Sequence, residues 1–308
     1  MPRARPARLD KYEHACYKVG ALAALHFRPD ERSSRTTNMT PRIKSVAIIG
    51  AGPAGAIAVD AFSQEQAFNR IRVFERREKA GGCWCAKPGS PGNIQTDQIR
   101  IYDNDEPPPL TDLDALAART ADAPVAAPGS LPGYFPRSSQ HRFDDTPVYP
   151  ALEANIDAGI MQFSQEPIPE VRSETSIALH GPDTPFRHHT VIQRYIESLL
   201  SRKGYNGLVE YNTTVENAEK SVNDGKWVLT LRKAVLGLEK DYWWQEEFDA
   251  LVVATGHYSV PYVPAIKGLK EFANEAPGSV LHTKGFRDPE KYRGKVRKYN
   301  DHGWCRQC

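Results

Sequence analysis

The chain has 308 residues, of which 40% are hydrophobic and 25% charged, and its formal net charge is +2. That length allows one large or two medium domains, and the composition is that of an ordinary soluble protein. The near-neutral balance gives no bulk electrostatic case for nucleic-acid or membrane binding, and no apolar run is long enough to span a bilayer.

Residues 1–44 hold ten Lys/Arg against four Asp/Glu, a net of +6 that leaves −4 for the rest. This stretch is Arg-rich and aperiodic. It reads as a basic, disordered extension, or as a segment upstream of a start at Met39. An organelle transit peptide is the alternative, opposed by Asp10, Glu13, Asp30 and Glu31, because such peptides are poor in acids. No apolar core of a secretory signal is present, so the expected location is the cytoplasm.

The next forty residues are the most informative. Val46 to Ile49 is a short apolar run of the kind buried in a parallel sheet. It is followed by Gly50-Ala51-Gly52-Pro53-Ala54-Gly55, an Ala-rich helical segment, and a second strand, Ile71 to Phe74, ending at Glu75. This is a β-α-β unit with G-x-G-x-x-G after a strand and at the start of a helix, the context that a dinucleotide fingerprint demands. Gly50 permits the tight turn, Gly52 the close approach of a pyrophosphate, and Gly55 the packing of helix on strand. The helix start adds N–H donors and partial positive charge for the phosphates. An acid at the end of the second strand accepts hydrogen bonds from ribose hydroxyls and repels a 2′-phosphate, so Glu75 predicts FAD or NAD rather than NADP here.

Gly81-Gly82-Cys83-Trp84 then provides backbone that can pass close to a cofactor, or a plain turn. Residues 86–148 are rich in Pro, Ala, Gly and Ser and read as a long insertion with little fixed structure and no chemistry. From Val148 to Pro169, the residues Tyr149, Leu152, Ile156, Ile160 and Phe163 are spaced to cover one side of a helical or irregular segment. Asn155 lies within that pattern.

Phe186 to Arg202 predicts an amphipathic helix with Thr190 as N-cap and His188 and His189 at the surface or in a loop. Strand-like runs follow at Leu208–Tyr211, Asn212–Val215, Trp227–Leu231 and Tyr242–Trp244. They form a β-meander that returns through a continuous buried strand, Phe248 to Ala254, ending in Thr255-Gly256-His257-Tyr258. The expected fold is α/β, a two-dinucleotide-binding flavoprotein with a Rossmann-like domain, over 45–265, that carries this meander.

The five cysteines, Cys16, Cys83, Cys85, Cys305 and Cys308, are odd in number and lack the spacing of a disulfide framework, which fits a reducing compartment. Cys305-x-x-Cys308 has no second pair to complete a zinc site, and no metal is expected.

Taken together, these residues resemble the flavin-containing monooxygenases from about Val46 to Lys295. The carriers are GAGPAG at 50–55, Glu75, GGCW at 81–84, Tyr149, Leu152 and Asn155 ahead of Met161-x-Phe163, and ATGHY at 254–258. Gly278, His282 and Phe286 match the family's Phe-x-Gly-x-x-x-His-x-x-x-aromatic element, with Ala276 where its first Phe is expected. The resemblance implies FAD as cofactor, NADPH as hydride donor and O2 as oxidant. It also implies transfer of oxygen from a C4a-hydroperoxyflavin to a soft nitrogen or sulfur nucleophile of a small molecule. Asn155 is then the catalytic residue beside the flavin, Gly82, Trp84 and Thr255 lie at the cofactor, and backbone at Val215 meets the adenine. A redox reductase would carry Cys-x-x-Cys or Cys-x4-Cys near the flavin, which Cys83-x-Cys85 does not match.

The ending departs from the family. Gly303 is the only glycine after Gly294, so the second G-x-G-x-x-G that receives NADPH is missing. Residues 266–308 therefore read as the start of an incomplete NADPH domain with an aberrant tail at 296–308, such as read-through of a retained intron. An inactive FAD-domain fragment is the alternative to an active monooxygenase.

Overall fold

Alternation along the first strand sets the layers of the molecule. The computed structural model describes residues 43–86, 127–138, 145–256, 259, 266–288, 290 and 293. Strand β1 is Ser45–Ile49. Val46 and Ile48 face one side and Ala47 the other, as the two-residue period requires, and all three are buried. Helix α1, Pro53–Glu65, connects β1 to its parallel neighbour β2, Arg70–Phe74.

Strand β3, Gly133–Pro136, belongs to a second, antiparallel sheet. Three helices follow it: α2 (Ala158–Met161), α3 (Glu174–His180) and α4 (His189–Ser201). The remaining strands are β4 (Val209–Glu210), β5 (Thr213–Lys220), β6 (Trp227–Ala234), β7 (Lys240–Phe248) and β8 (Ala250–Val253). Helix α5, Leu269–Glu275, comes after them. The two sheets are ordered β4-β2-β1-β8, all parallel, and β3-β7-β6-β5, all antiparallel.

Helices α1 and α4 cover the Val46/Ile48 face, where Ala56 and Val59 of α1 meet Ile192, Ile196, Leu199 and Leu200 of α4. The meander covers the other face, where Ala47 and Phe74 meet Leu229, Leu231 and Phe248. Phe74 and Phe248 pack edge to face at 6.0 Å between centroids. Burying each of these large side chains contributes about 1.5–3 kcal/mol, so β1 is held from both sides.

Asp249 stands where the chain passes from one sheet to the other. Its Oδ2 accepts from the N–H groups of Lys44 and Ser45, both at 2.8 Å, and from Ser45 Oγ at 2.9 Å. These bonds, the Lys44 N–H foremost, hold its carboxyl below the usual carboxylate range. They also explain why Phe248 to Ala254 is not the single buried strand that its apolar run predicts. The run breaks at Asp249. Its second half, β8, lies at the edge of the described sheet with Val253 69% exposed.

Other expectations change as well. Residues 86–148 do contain fixed structure. Although 87–126 and 139–144 lie outside the described residues, β3 pairs with β7, and Tyr134 packs on Tyr242 at 4.9 Å. Helix α4 buries Val191, Ile192, Tyr195, Ile196, Leu199 and Leu200 as its spacing predicts. Its N-cap, however, is His188 rather than Thr190. The His188 Nδ1 accepts from the Thr190 N–H, and Thr190 is already inside the helix. His189 is buried, not at the surface. Between Tyr149 and Phe163 only α2 is helical, and Ile156 and Ile160 are exposed rather than packed on one face. The run Leu208–Tyr211 is a strand only at β4, because residues 205–208 form a 3-10 turn.

Candidate functional site

The glycines converge where β1 ends. Gly50 has φ +101°, a conformation that L side chains rarely adopt, and a Cβ there would lie 2.6 Å from the Ala254 carbonyl oxygen at the end of β8. A Cβ on Gly55 would lie 1.9 Å from the Gly50 carbonyl oxygen, so only glycine lets α1 start this close to the strand. Gly82, at φ +58°, lies against the turn, and a Cβ there would sit 2.8 Å from the Gly52 Cα. The Gly81 N–H donates to the Ala51 carbonyl at 3.0 Å. Two glycine-bearing loops, 50–55 and 81–84, thus touch backbone to backbone above the ends of β1 and β2.

Helix α1 begins there with Gly52 as N-cap and Pro53 and Ala54 in its first turn, and no side chain caps it. Its N-terminal partial charge is therefore offered outward, as an anion-binding helix start requires. Glu75 follows β2 and is 3% exposed. Its Oε2 accepts from the Ala51 N–H at 2.7 Å and its Oε1 from the Arg77 N–H at 2.9 Å. The acid is thus fixed in the fold before any ligand arrives, and each oxygen keeps a lone pair for a further donor. The Thr213 N–H donates to the Glu75 carbonyl at 2.9 Å, which ties the start of β5 to the same place. Val215, two residues on, sits where the register of β5 against β6 shifts. Thr255 lies just past β8, its Cα 3.5 Å from the Cβ position of Gly50.

The 3-10 turn Gly82–Trp84 is held from below. Cys85 Sγ donates to the Ala80 carbonyl at 3.0 Å, Thr146 Oγ1 to the Cys85 carbonyl at 2.6 Å, and Arg287 Nη2 to the Thr146 carbonyl at 2.9 Å. Burial pushes the Cys85 thiol up to about 11, whereas Cys83 beside it is exposed. Trp84 is half-buried and packs against the helix-side core.

The fold thus gathers Gly50, Gly52, Pro53, Ala54, Gly55, Glu75, Gly82, Trp84 and Thr255 around one end of the parallel sheet, with Val215 close by. Asn155 is placed differently. It is exposed, on a short arch between Ala154 and Ala158 whose two feet bond to the segment leading into α4. Farther on, His282 caps the 3-10 turn at 283–285 and Phe286 packs edge to face on Tyr149 at 4.9 Å. His257, Tyr258, Cys16, Cys305, Cys308 and the 296–308 tail lie outside the described residues.

Sequence reasoning missed the backbone donors of Ala51 and Arg77 to Glu75, and the Arg76 Nη2 bond to Ser259 Oγ at 3.1 Å. No motif marks these: the Arg77 bond is a local turn onto Glu75, and the other two join residues 24 and 183 positions apart. Among the described residues no group of three His, Cys, Asp or Glu could hold a metal ion, and no helix is long and apolar enough to cross a membrane.

The cradle fits a pyrophosphate-linked nucleotide. Its walls are glycines that a Cβ would obstruct, its helix start is uncapped, and its acid has spare acceptor capacity.

No protein-family model matches the chain. It is 30% identical over 275 residues to the flavin-containing monooxygenase iboF of Amanita muscaria, covering 81% of this chain and 46% of that protein. It is also 30% identical over 263 residues to the flavin-containing monooxygenase ustF2 of Aspergillus flavus, covering 83% and 49%. Trimethylamine monooxygenase of Pelagibacter ubique is 24% identical over 257 residues, 81% of this chain and 43% of that one. Among solved structures, the S-allyl-L-cysteine S-oxygenase from Allium sativum superposes with a TM-score of 0.53 at 23% identity, over 81% of this chain and 44% of that one. The chain spans about half the length of the curated relatives it matches.

Proposed function

We propose that the matched part of this chain, 30% identical to two flavin-containing monooxygenases, is of that family and builds the FAD-holding part of an enzyme that oxygenates soft nitrogen or sulfur nucleophiles with NADPH and O2. The observation that carries the FAD assignment is the pairing of the glycine cradle with a pre-positioned Glu75. Names among the relatives support the substrate class, since one is a trimethylamine monooxygenase and another an S-allyl-L-cysteine S-oxygenase.

In this reading FAD, when bound, supplies the redox and oxygen chemistry. The residues of the chain bind, orient and shield it. The first turn of α1, Gly52, Pro53, Ala54 and Gly55, faces the pyrophosphate. Glu75 accepts from the ribose hydroxyls, and the backbone at Val215 meets the adenine. Gly82, Trp84 and Thr255 border the cofactor. Asn155 is the catalytic residue. Its amide can donate a hydrogen bond to a reacting oxygen without being a strong acid.

Stopped-flow mixing of the FAD-loaded chain with NADPH tests this reading. Rapid, saturable flavin reduction supports it, and absent reduction with FAD still bound counts against turnover by this chain.

A further inference from the structure

Arg187 is a buried cation, 5% exposed, with no salt-bridge partner among the described residues. Arginine is rarely this buried without an acid beside it, because desolvating the charge is costly unless its donors are satisfied. Here three carbonyl oxygens accept from its Nε and Nη1. Nε donates to the Pro169 carbonyl at 3.1 Å, and Nη1 donates to the Thr184 carbonyl at 3.0 Å and the Phe186 carbonyl at 2.9 Å. The planar guanidinium thus clamps the strand-like lead-in to α4 against the 169 loop.

The same lead-in carries the arch that holds Asn155. The Ala154 N–H donates to the Arg187 carbonyl at 2.8 Å, and the Ala158 N–H to the Pro185 carbonyl at 3.1 Å. The His189 N–H donates to the Leu152 carbonyl at 3.0 Å, and Glu153 pairs with His188 as an antiparallel bridge. Both feet of the three-residue span 155–157 therefore stand on the segment that Arg187 locks. Asn155 itself is exposed, so the support of its position comes from these feet rather than from packing around its side chain.

We propose that Arg187 is a positioning residue, whose carbonyl-bound guanidinium fixes the 154–158 arch and through it aims the Asn155 amide. The inference rests on the reading above in which Asn155 lies beside the flavin.

The test uses the FAD-loaded chain and the variants R187M, R187K, N155A and R187M/N155A. Methionine keeps bulk without donors, and lysine keeps the charge without the fork. Hydrogen–deuterium exchange should rise about tenfold at residues 152–160 in R187M, with 45–84 unchanged, and R187K should recover part of the protection. The visible circular dichroism of bound FAD should change alike in R187M and N155A, with no further change in the double variant, because the two act on one element. Wild-type exchange at 152–160 in R187M overturns the proposal. So do additive spectral changes, or exchange that rises throughout the domain in both Arg187 variants. If N155A leaves the flavin spectrum untouched, the placement of Asn155 beside the flavin fails, and the exchange result alone decides whether Arg187 holds the arch. If R187M does not fold, the same criteria apply to R187K.

Discussion

Replacing Glu75 by Gln tests whether this acid is part of the fold as well as of the ligand site. Both carboxylate oxygens accept buried or half-buried backbone N–H groups, from Ala51 at 2.7 Å and Arg77 at 2.9 Å. A glutamine has one acceptor oxygen, so one bond survives in weaker form and the amide NH2 confronts the other N–H. A hydrogen bond to a charged group contributes about 1.5–3 kcal/mol, and a buried donor left unpaired costs about 1–3 kcal/mol. These overlap, and the expected loss is about 2–4 kcal/mol in the ligand-free chain, with a melting temperature roughly 5–15 °C lower. Urea unfolding followed by far-ultraviolet circular dichroism measures it. FAD should also bind at least about tenfold more weakly, a difference of about 1.4 kcal/mol, by flavin fluorescence titration. If E75Q unfolds within about 0.5 kcal/mol of wild type, the two backbone bonds do not carry the weight assigned to them. If it also binds FAD normally, the ribose role fails too.

Further outcomes follow from other residues. Gly55→Ala places a Cβ 1.9 Å from the Gly50 carbonyl oxygen, so α1 must shift. Such overpacking costs about 1–3 kcal/mol or more, and FAD titration should show binding lost or greatly weakened. Unchanged binding would mean that helix and strand are farther apart than described. Burial, reinforced by the neighbouring His188, pulls His189 from 6.5 down to about 4. The unfolded state then binds the extra proton, so this stability is complete above about pH 6.5 and is lost as pH falls toward 4, by up to roughly 3 kcal/mol. Urea midpoints across that range should show the slope in wild type and lose it in His189→Gln. Iodoacetamide at pH 8 with peptide mapping should label exposed Cys83 and spare buried Cys85. Equal labelling of both would show that the 82–85 turn opens.

Local patterns announce the parts of the fold that local chemistry determines. The Val46–Ile49 run, the glycine spacing and Glu75 mark β1, α1, β2 and their connection, because the strand, turn and helix patterns there follow one another in one continuous stretch of chain. The apolar stripe of α4 is equally plain, since six side chains at helical spacing all reach the core. What stayed hidden depends on partners far along the chain. Strand β3 lies in a stretch rich in Pro and Gly and exists because β7 provides its pairing. The break at Asp249 is visible only once Lys44 and Ser45 are beside it. His188 displaces Thr190 as cap because its ring turns back onto the helix, and one Nε2 contact to the Pro150 carbonyl at 2.8 Å steadies it there. The grouping of Asn155 with Arg187 has no signature at all in one dimension. It arises from backbone bonds spanning about thirty residues.

The most direct test of the central claim is the absorbance of the purified chain after incubation with FAD and removal of the excess. The account predicts a flavin band corresponding to about one FAD per chain, strongly reduced in E75Q and G55A, since both variants alter the cradle itself. A colourless chain that takes up no FAD would contradict it.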